Sequence, residues 1–226
     1  MGQIILIILL LILGFSTVYF KEFIQTHHRK IEIALAIILL LSRIGRNTEY
    51  FIDGDYHKAF PLQLCTISTY LAMLYYFFKW KKLRVFLFFY GFLGLTAFID
   101  PDIPVWSEAL KGFYLYGFTI DHLIITVSPL FLVLYDDFEF DINDAIAPTI
   151  TAVILIFIAW PMNILWDGAN FFYLVEKPVV SDVFGENVSN LFYIFWFFVA
   201  YVIINAINLL IIKLITKSNT YLSYHK

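Results

Sequence analysis

The sequence predicts an all-α fold: a polytopic membrane bundle of about seven transmembrane helices, one domain over residues 1–226, with no soluble domain. Two observations carry this. The chain is 61% hydrophobic with a mean hydropathy of +0.80, more apolar surface than a soluble domain of 226 residues needs. The apolar residues also fall in long continuous runs, whereas the strands of a membrane barrel alternate.

A helix needs about 20 apolar residues to cross the hydrocarbon core. Residues 3–20 form the first such run. It lacks a basic residue ahead of it and a small-residue cleavage site, so it is expected to be a retained helix and not a removed leader. The second run is 31–51, after the polar stretch Lys21–Lys30. The third, 60–78, opens at Pro61 and closes at Lys79. The fourth, 84–99, is the shortest; it contains Gly91 and Gly94 and ends at Asp100-Pro101. The fifth, sixth and seventh are 113–135, 145–166 and 189–213. No internal repeat is present. The aromatic residues, 20% of the chain, fit interfacial belts and lipid-facing or packing positions.

Orientation follows from Lys and Arg. One side of these spans carries Lys21, Arg29, Lys30, Lys79, Lys81, Lys82, Arg84, Lys213, Lys217 and Lys226. The other carries Arg43, Arg46, Lys58, Lys111 and Lys177. The first side is expected to be cytoplasmic, which puts the N-terminus outside and the C-terminus inside. The net charge of -3 and the lack of a basic tract argue against nucleic acid as a partner. A single cysteine excludes an intramolecular disulfide.

Polar groups inside membrane spans are costly and call for a reason. Here they gather in the outer halves of four spans: Arg43, Arg46, Asn47 and Glu49 on the second; Gln63, Cys65 and Thr66 on the third; Thr119, Asp121, His122 and Thr126 on the fifth; Asn163, Asp167 and Asn170 on the sixth. Helical spacing groups Cys65 with Ser68 and Thr69, Thr119 with His122 and Thr126, and Asn163 with Asp167 and Asn170. The inner halves look bare. His27 and His28 look interfacial, and the acidic residues Asp136, Asp137, Glu139 and Asp141 look like a solvated loop. Asn187-Val188-Ser189 is a formal glycosylation sequon of low information.

A thiol and an imidazole in one polar pocket suggest nucleophilic catalysis. The thiolate is the reactive form, and a neighbouring imidazole takes its proton. Cys65 would be the nucleophile and His122 the base. Gln63, Arg46, Asn163 and Asn170 would bind substrate or donate to an oxyanion. Asp121 is one residue from His122 and so points about 100° away from it on a helix; Glu49 or Asp167 is the better candidate for an orienting acid. Metal-ligand spacing is absent, and no metal or dissociable cofactor is implied.

Three segments carry a resemblance. Phe60-Pro61-Leu62-Gln63-Leu64-Cys65 resembles the Leu-Pro-Leu-His-Leu-Cys signature of the YwaF-like bacterial integral-membrane family. Gly117-Phe118-Thr119-Ile120-Asp121-His122, with the apolar run to Pro129, is similar to that family's second signature. The stretch from Asn163 through Asn170 to Tyr173-Leu174 and Lys177-Pro178 is similar to its third. The chain departs from the family pattern at Gln63, where His is common, and at Asp121, where a small polar residue is expected. The resemblance implies a bacterial cell-membrane location. It also implies kinship with eukaryotic multi-pass acyltransferases that remodel ether phospholipids through a Cys and a His, at the positions of Cys65 and His122 here. More distant relatives hydrolyse branched fatty-acid esters and use a Thr in place of the Cys.

The function expected from these readings is a membrane lipid acyltransferase or acyl-ester hydrolase, with membrane lipids as its partners. A transporter or small-solute binding protein is the first alternative, and a membrane scaffold without chemistry the second. Neither the substrate lipid nor an oligomeric state is legible in the sequence.

Overall fold

The computed structural model describes residues 2–95, 113–139, 142–177 and 188–224. The described residues contain eight α-helices: α1 Gly2–Tyr19, α2 Lys21–Asp53, α3 Tyr56–Ala59, α4 Leu64–Phe78, α5 Leu83–Gly91, α6 Phe113–Tyr135, α7 Ile146–Leu165 and α8 Asn190–Tyr224. There is no strand among the described residues. All seven predicted runs are mainly helical where described, but residues 60–63 at the start of the third lie ahead of α4 and are not helical. Residues 96–104 at the end of the fourth run, Lys111, residues 140–141, Pro178, Asn187 and Lys226 lie outside the described residues.

Among the described residues, three helices are individually long and apolar enough to cross a bilayer: Tyr116–Tyr135, Asn143–Leu165 and Asn190–Ile207. A fourth crossing exists if α1 and α2 count together; they are bent by 104° at Phe20. The polar stretch Lys21–Lys30, expected to be a connection between two spans, is instead the first part of α2. It contains no Gly or Pro and is rich in long side chains that lose little freedom in a helix. The 33 residues of α2 reach about 50 Å. The 15 residues of α4 reach only about 22 Å, less than the roughly 30 Å hydrocarbon core.

The core is built by α2, α4, α5 and α6, around Leu39, Tyr75, Tyr76, Phe88, Tyr90, Ile125 and Leu132. α7 and α8 are peripheral and keep large apolar side chains exposed, among them Phe157, Ile158, Leu191 and Val202. That surface suits contact with lipid.

Glycine and proline set the closest approach. Pro129 lies inside α6 and has no N–H for the carbonyl of Ile125. Gly91 sits against that carbonyl: a Cβ there would lie 2.5 Å from Ile125 O. Gly94, one turn on, faces Thr126 in the same way, and Gly117 faces Arg46. Small residues at these positions let the backbones of neighbouring helices meet, as is usual in membranes. Hydroxyls then fasten the layers: Tyr76 donates to Ser128 at 2.8 Å and Tyr90 to the carbonyl of Pro148 at 2.6 Å.

Candidate functional site

At the end of the bundle where α2 finishes and α4 begins, the polar residues on α2, α4 and α6 meet around one carboxylate. Asp121 is fully buried. Arg43 reaches its Oδ2 at 2.8 Å, Arg46 the same oxygen at 2.9 Å, and Ser42 donates to its Oδ1 at 2.7 Å. The two arginine side chains are only 3% and 7% exposed. Arg46 also donates to Tyr50, and its guanidinium lies over the ring of Phe118. These bonds commit both carboxylate oxygens of Asp121 to α2.

Arg43 connects the two expected catalytic helices. Its guanidinium donates to Thr69 Oγ1 at 3.1 Å, and Thr69 donates to the carbonyl of Cys65 at 3.0 Å. Cys65 therefore lies one helical turn, about 6 Å, from the level of the ion pairs. It is partly buried, in the first turn of α4, where backbone N–H groups have no intrahelical acceptor. His122 follows Asp121 on α6 and is buried. Its Nδ1 donates to the carbonyl of Phe118 at 2.7 Å, since a carbonyl only accepts. That tautomer leaves the lone pair on Nε2, the arrangement a base requires. The described bonds join the neighbours of Cys65 and His122, and not the two side chains themselves.

The amides expected to bind substrate hold backbone. Gln63 donates to the carbonyl of Asn170 at 2.9 Å and accepts from the N–H of Phe172 at 3.0 Å. Asn163 pairs with both backbone groups of Phe171 at 3.0 and 2.7 Å. Asn170 Oδ1 accepts from the N–H groups of Val175 and Glu176, and its Nδ2 donates to Glu176 O. Together they fold residues 166–177 back against the start of α4. Phe172 and Tyr173 have φ of 55° and 54°, a left-handed conformation that costs roughly 1–2 kcal/mol per residue without glycine. The side-chain bonds to Phe171 and Phe172 hold it.

Two placements differ from the helical stripe expected for Asn163, Asp167 and Asn170. α7 ends at Leu165, and the next residues turn through Gly168 at φ 73°. Asp167 is therefore exposed in a turn, while Asn170 belongs to the returning segment. Glu49 is partly buried on the last turns of α2.

The opposite end is not bare, in contrast to the sequence reading. Glu32 and the side chain of the half-buried Asp136 both bond Lys79 there; Asp136 also accepts from Tyr75 at 2.8 Å. Arg29 donates to the carbonyls of Tyr76 and Phe77 at 2.6 and 2.7 Å and so caps the C-terminus of α4. Asp136 is thus part of an ionic cluster rather than a solvated loop. Only the spacing of His28 and Glu32, one turn apart, hinted at this cluster; Asp136 is a hundred residues away. A cavity of about 450 Å³ lies between α1, α2 and α6, lined by apolar side chains such as Leu13, Phe23, Leu35 and Phe131, with Tyr76 and Ser128 among its few polar residues.

Neither a curated protein nor a solved structure matches the chain. A family model does: the TMEM164 family, over residues 1–224. With that match and its long apolar helices, the chain belongs to the TMEM164 family and is an integral membrane protein.

Proposed function

We propose that the protein is a Cys/His-dependent membrane enzyme acting on lipid acyl esters. The observation that carries this is the bond path from Cys65 through Thr69 and Arg43 to Asp121, the residue beside His122. The path links the thiol's helix to the imidazole's helix at one end of the bundle. In the reaction, His122 Nε2 takes the thiol proton and the Cys65 sulfur attacks the ester carbonyl. The carbon–oxygen bond breaks, the lysolipid oxygen receives the proton from His122, and an acyl thioester remains on Cys65. A lipid hydroxyl or water then attacks the thioester, gives its proton to His122, and restores the thiol as His122 returns it.

Because Gln63, Asn163 and Asn170 are engaged with backbone, the oxyanion donors in this reading are the N–H groups of the first turn of α4. Arg46 contributes positive charge from its ion pair, and Glu49 remains the candidate orienting acid over the exposed Asp167. The apolar cavity is about the volume of a long acyl chain. The partners are membrane lipids. The Cys65 end faces outward from the cytoplasm, with the N-terminus outside and the C-terminus inside, as the basic residues argue.

Cys65→Ser and His122→Ala variants that fold and insert normally test the enzyme reading, with lipid profiles of the host membrane as readout. Both are expected to abolish the change that the parent chain produces. Profiles equal to the parent's in both variants reject the reading.

One observation favours transport as a second reading: α2 carries buried ionic clusters at both ends, around Asp121 and around Glu32, separated by the buried apolar residues Ala36 and Leu39. A solute flux that survives Cys65→Ser would support it.

A further inference from the structure

The cluster around Glu32 has a feature that an ordinary ion pair does not require. Three ligand-type atoms, two from α2 and one from the residue after α6, lie close together: His28 Nε2, Glu32 Oε1 and Asp136 Oδ1, all within 4.8 Å of one another. His28 Nε2 is 3.4 Å from the Glu32 oxygen and 3.5 Å from the Asp136 oxygen, is buried, and makes no hydrogen bond. Lys79 Nζ sits on the same two oxygens, 2.5 Å from Asp136 Oδ1.

The other atom of each carboxylate is already engaged. Glu32 Oε2 accepts from Arg29 at 3.2 Å, and Asp136 Oδ2 accepts from Tyr75 at 2.8 Å. The His28 ring is stacked on Phe131, with centroids 5.2 Å apart. Partners of this kind orient the ligands of a metal and leave one atom of each facing inward.

We propose that His28, Glu32 and Asp136 form three corners of a tetrahedral divalent-metal site of the zinc class, and that Lys79 is the exchangeable group that fills its centre when the metal is away. The separations favour zinc. Bonds of about 2.0–2.2 Å put tetrahedral neighbours roughly 3.3–3.6 Å apart, which covers both His28 distances. Octahedral magnesium, with bonds of about 2.0–2.1 Å, requires roughly 2.8–3.0 Å and mostly oxygen ligands. The charges also suit the exchange. Two carboxylates and a neutral imidazole balance a divalent ion, and the Lys79 side chain, 33% exposed, has water to withdraw into. The bound ion would staple α2 to the end of α6, with a fourth position open on the Lys79 side.

The test uses the full chain in lipid nanodiscs, stripped with a chelator and titrated with zinc chloride and, separately, cobalt chloride. The expected result is one ion per chain and the intense visible absorption of tetrahedral cobalt. His28→Ala and Asp136→Asn should each weaken binding about tenfold or more. Lys79→Met keeps all three ligands and removes the competing ammonium, so it should bind more tightly than the parent. Lys79→Met protein that takes up no stoichiometric ion overturns the proposal. So does binding to the parent that is unchanged in a His28→Ala/Asp136→Asn double variant, because the ion would then sit elsewhere.

Discussion

Replacing Asp121 by Asn removes one charge and little volume, so its cost isolates the electrostatics of the Cys65 end. Asp121 holds two buried guanidinium groups, at 2.8 and 2.9 Å. Charge centres about 4 Å apart attract by about 4 kcal/mol at an effective dielectric of 20, so two pairs give about 8 kcal/mol. Repulsion between the guanidinium groups is the same before and after the change and drops out, whereas the desolvation cost of the buried carboxylate, several kcal/mol, is relieved in Asn and offsets part of the loss. The balance falls in the range of roughly 3–5 kcal/mol seen when one partner of a buried pair is lost. Asn still accepts from Ser42 and offsets part of this, so a loss of about 4 kcal/mol is expected. For a chain of this size that lowers the apparent thermal midpoint by roughly 10 °C. Tryptophan fluorescence during heating in nanodiscs measures it. Adding Arg43→Met to Asp121→Asn should recover about 1–3 kcal/mol relative to the sum of the single changes, because a buried unpaired cation is removed. A midpoint within about 2 °C of the parent, or strict additivity in the double variant, would refute the claim that Asp121 is the ionic hub.

Gly91→Ala should destabilise the protein by about 1–3 kcal/mol despite the better helix propensity of Ala, since its Cβ would meet Ile125 O at 2.5 Å. Gly14→Ala is the control: nothing lies within 4 Å of a Cβ there, so the same heating experiment should show no loss. Gln63→Leu should release residues 166–177, seen as faster hydrogen exchange in that segment, at a cost of about 2 kcal/mol for two unpaired backbone groups. Arg29→Met should uncap α4 and speed exchange at its last turn without changing exchange at Phe172.

How far the site was legible differs residue by residue. Cys65, His122 and the arginines stand out in the sequence because polar and ionisable groups are rare in apolar runs, and their common end follows from the order of the runs. The hub was not found. Asp121 looked like a poor neighbour for His122, and nothing local shows that it faces Arg43 and Arg46 some 75 residues earlier. The amides stand out as polar residues, but their backbone partners do not, because a side-chain amide serves backbone as readily as substrate. The strained turn at Phe172 and Tyr173 carries no glycine and so no local signal. Asp136 looked solvated because its neighbours are acidic; the countercharge comes from Lys79, at the far end of another helix.

Apolar patterning alone determined that this chain is a helical membrane protein and where most of its apolar helices lie, because a backbone in hydrocarbon must satisfy its own hydrogen bonds. Composition also determined which residues are costly enough there to need partners. Only the tertiary structure decided who those partners are. Gly117 lets α6 lie close against α2, which selects Asp121 for the arginines, and the ends of α4 and α6 meet so that Asp136 pairs with Lys79. Ion pairs between helices depend on distances across the bundle, and no spacing along one helix encodes them.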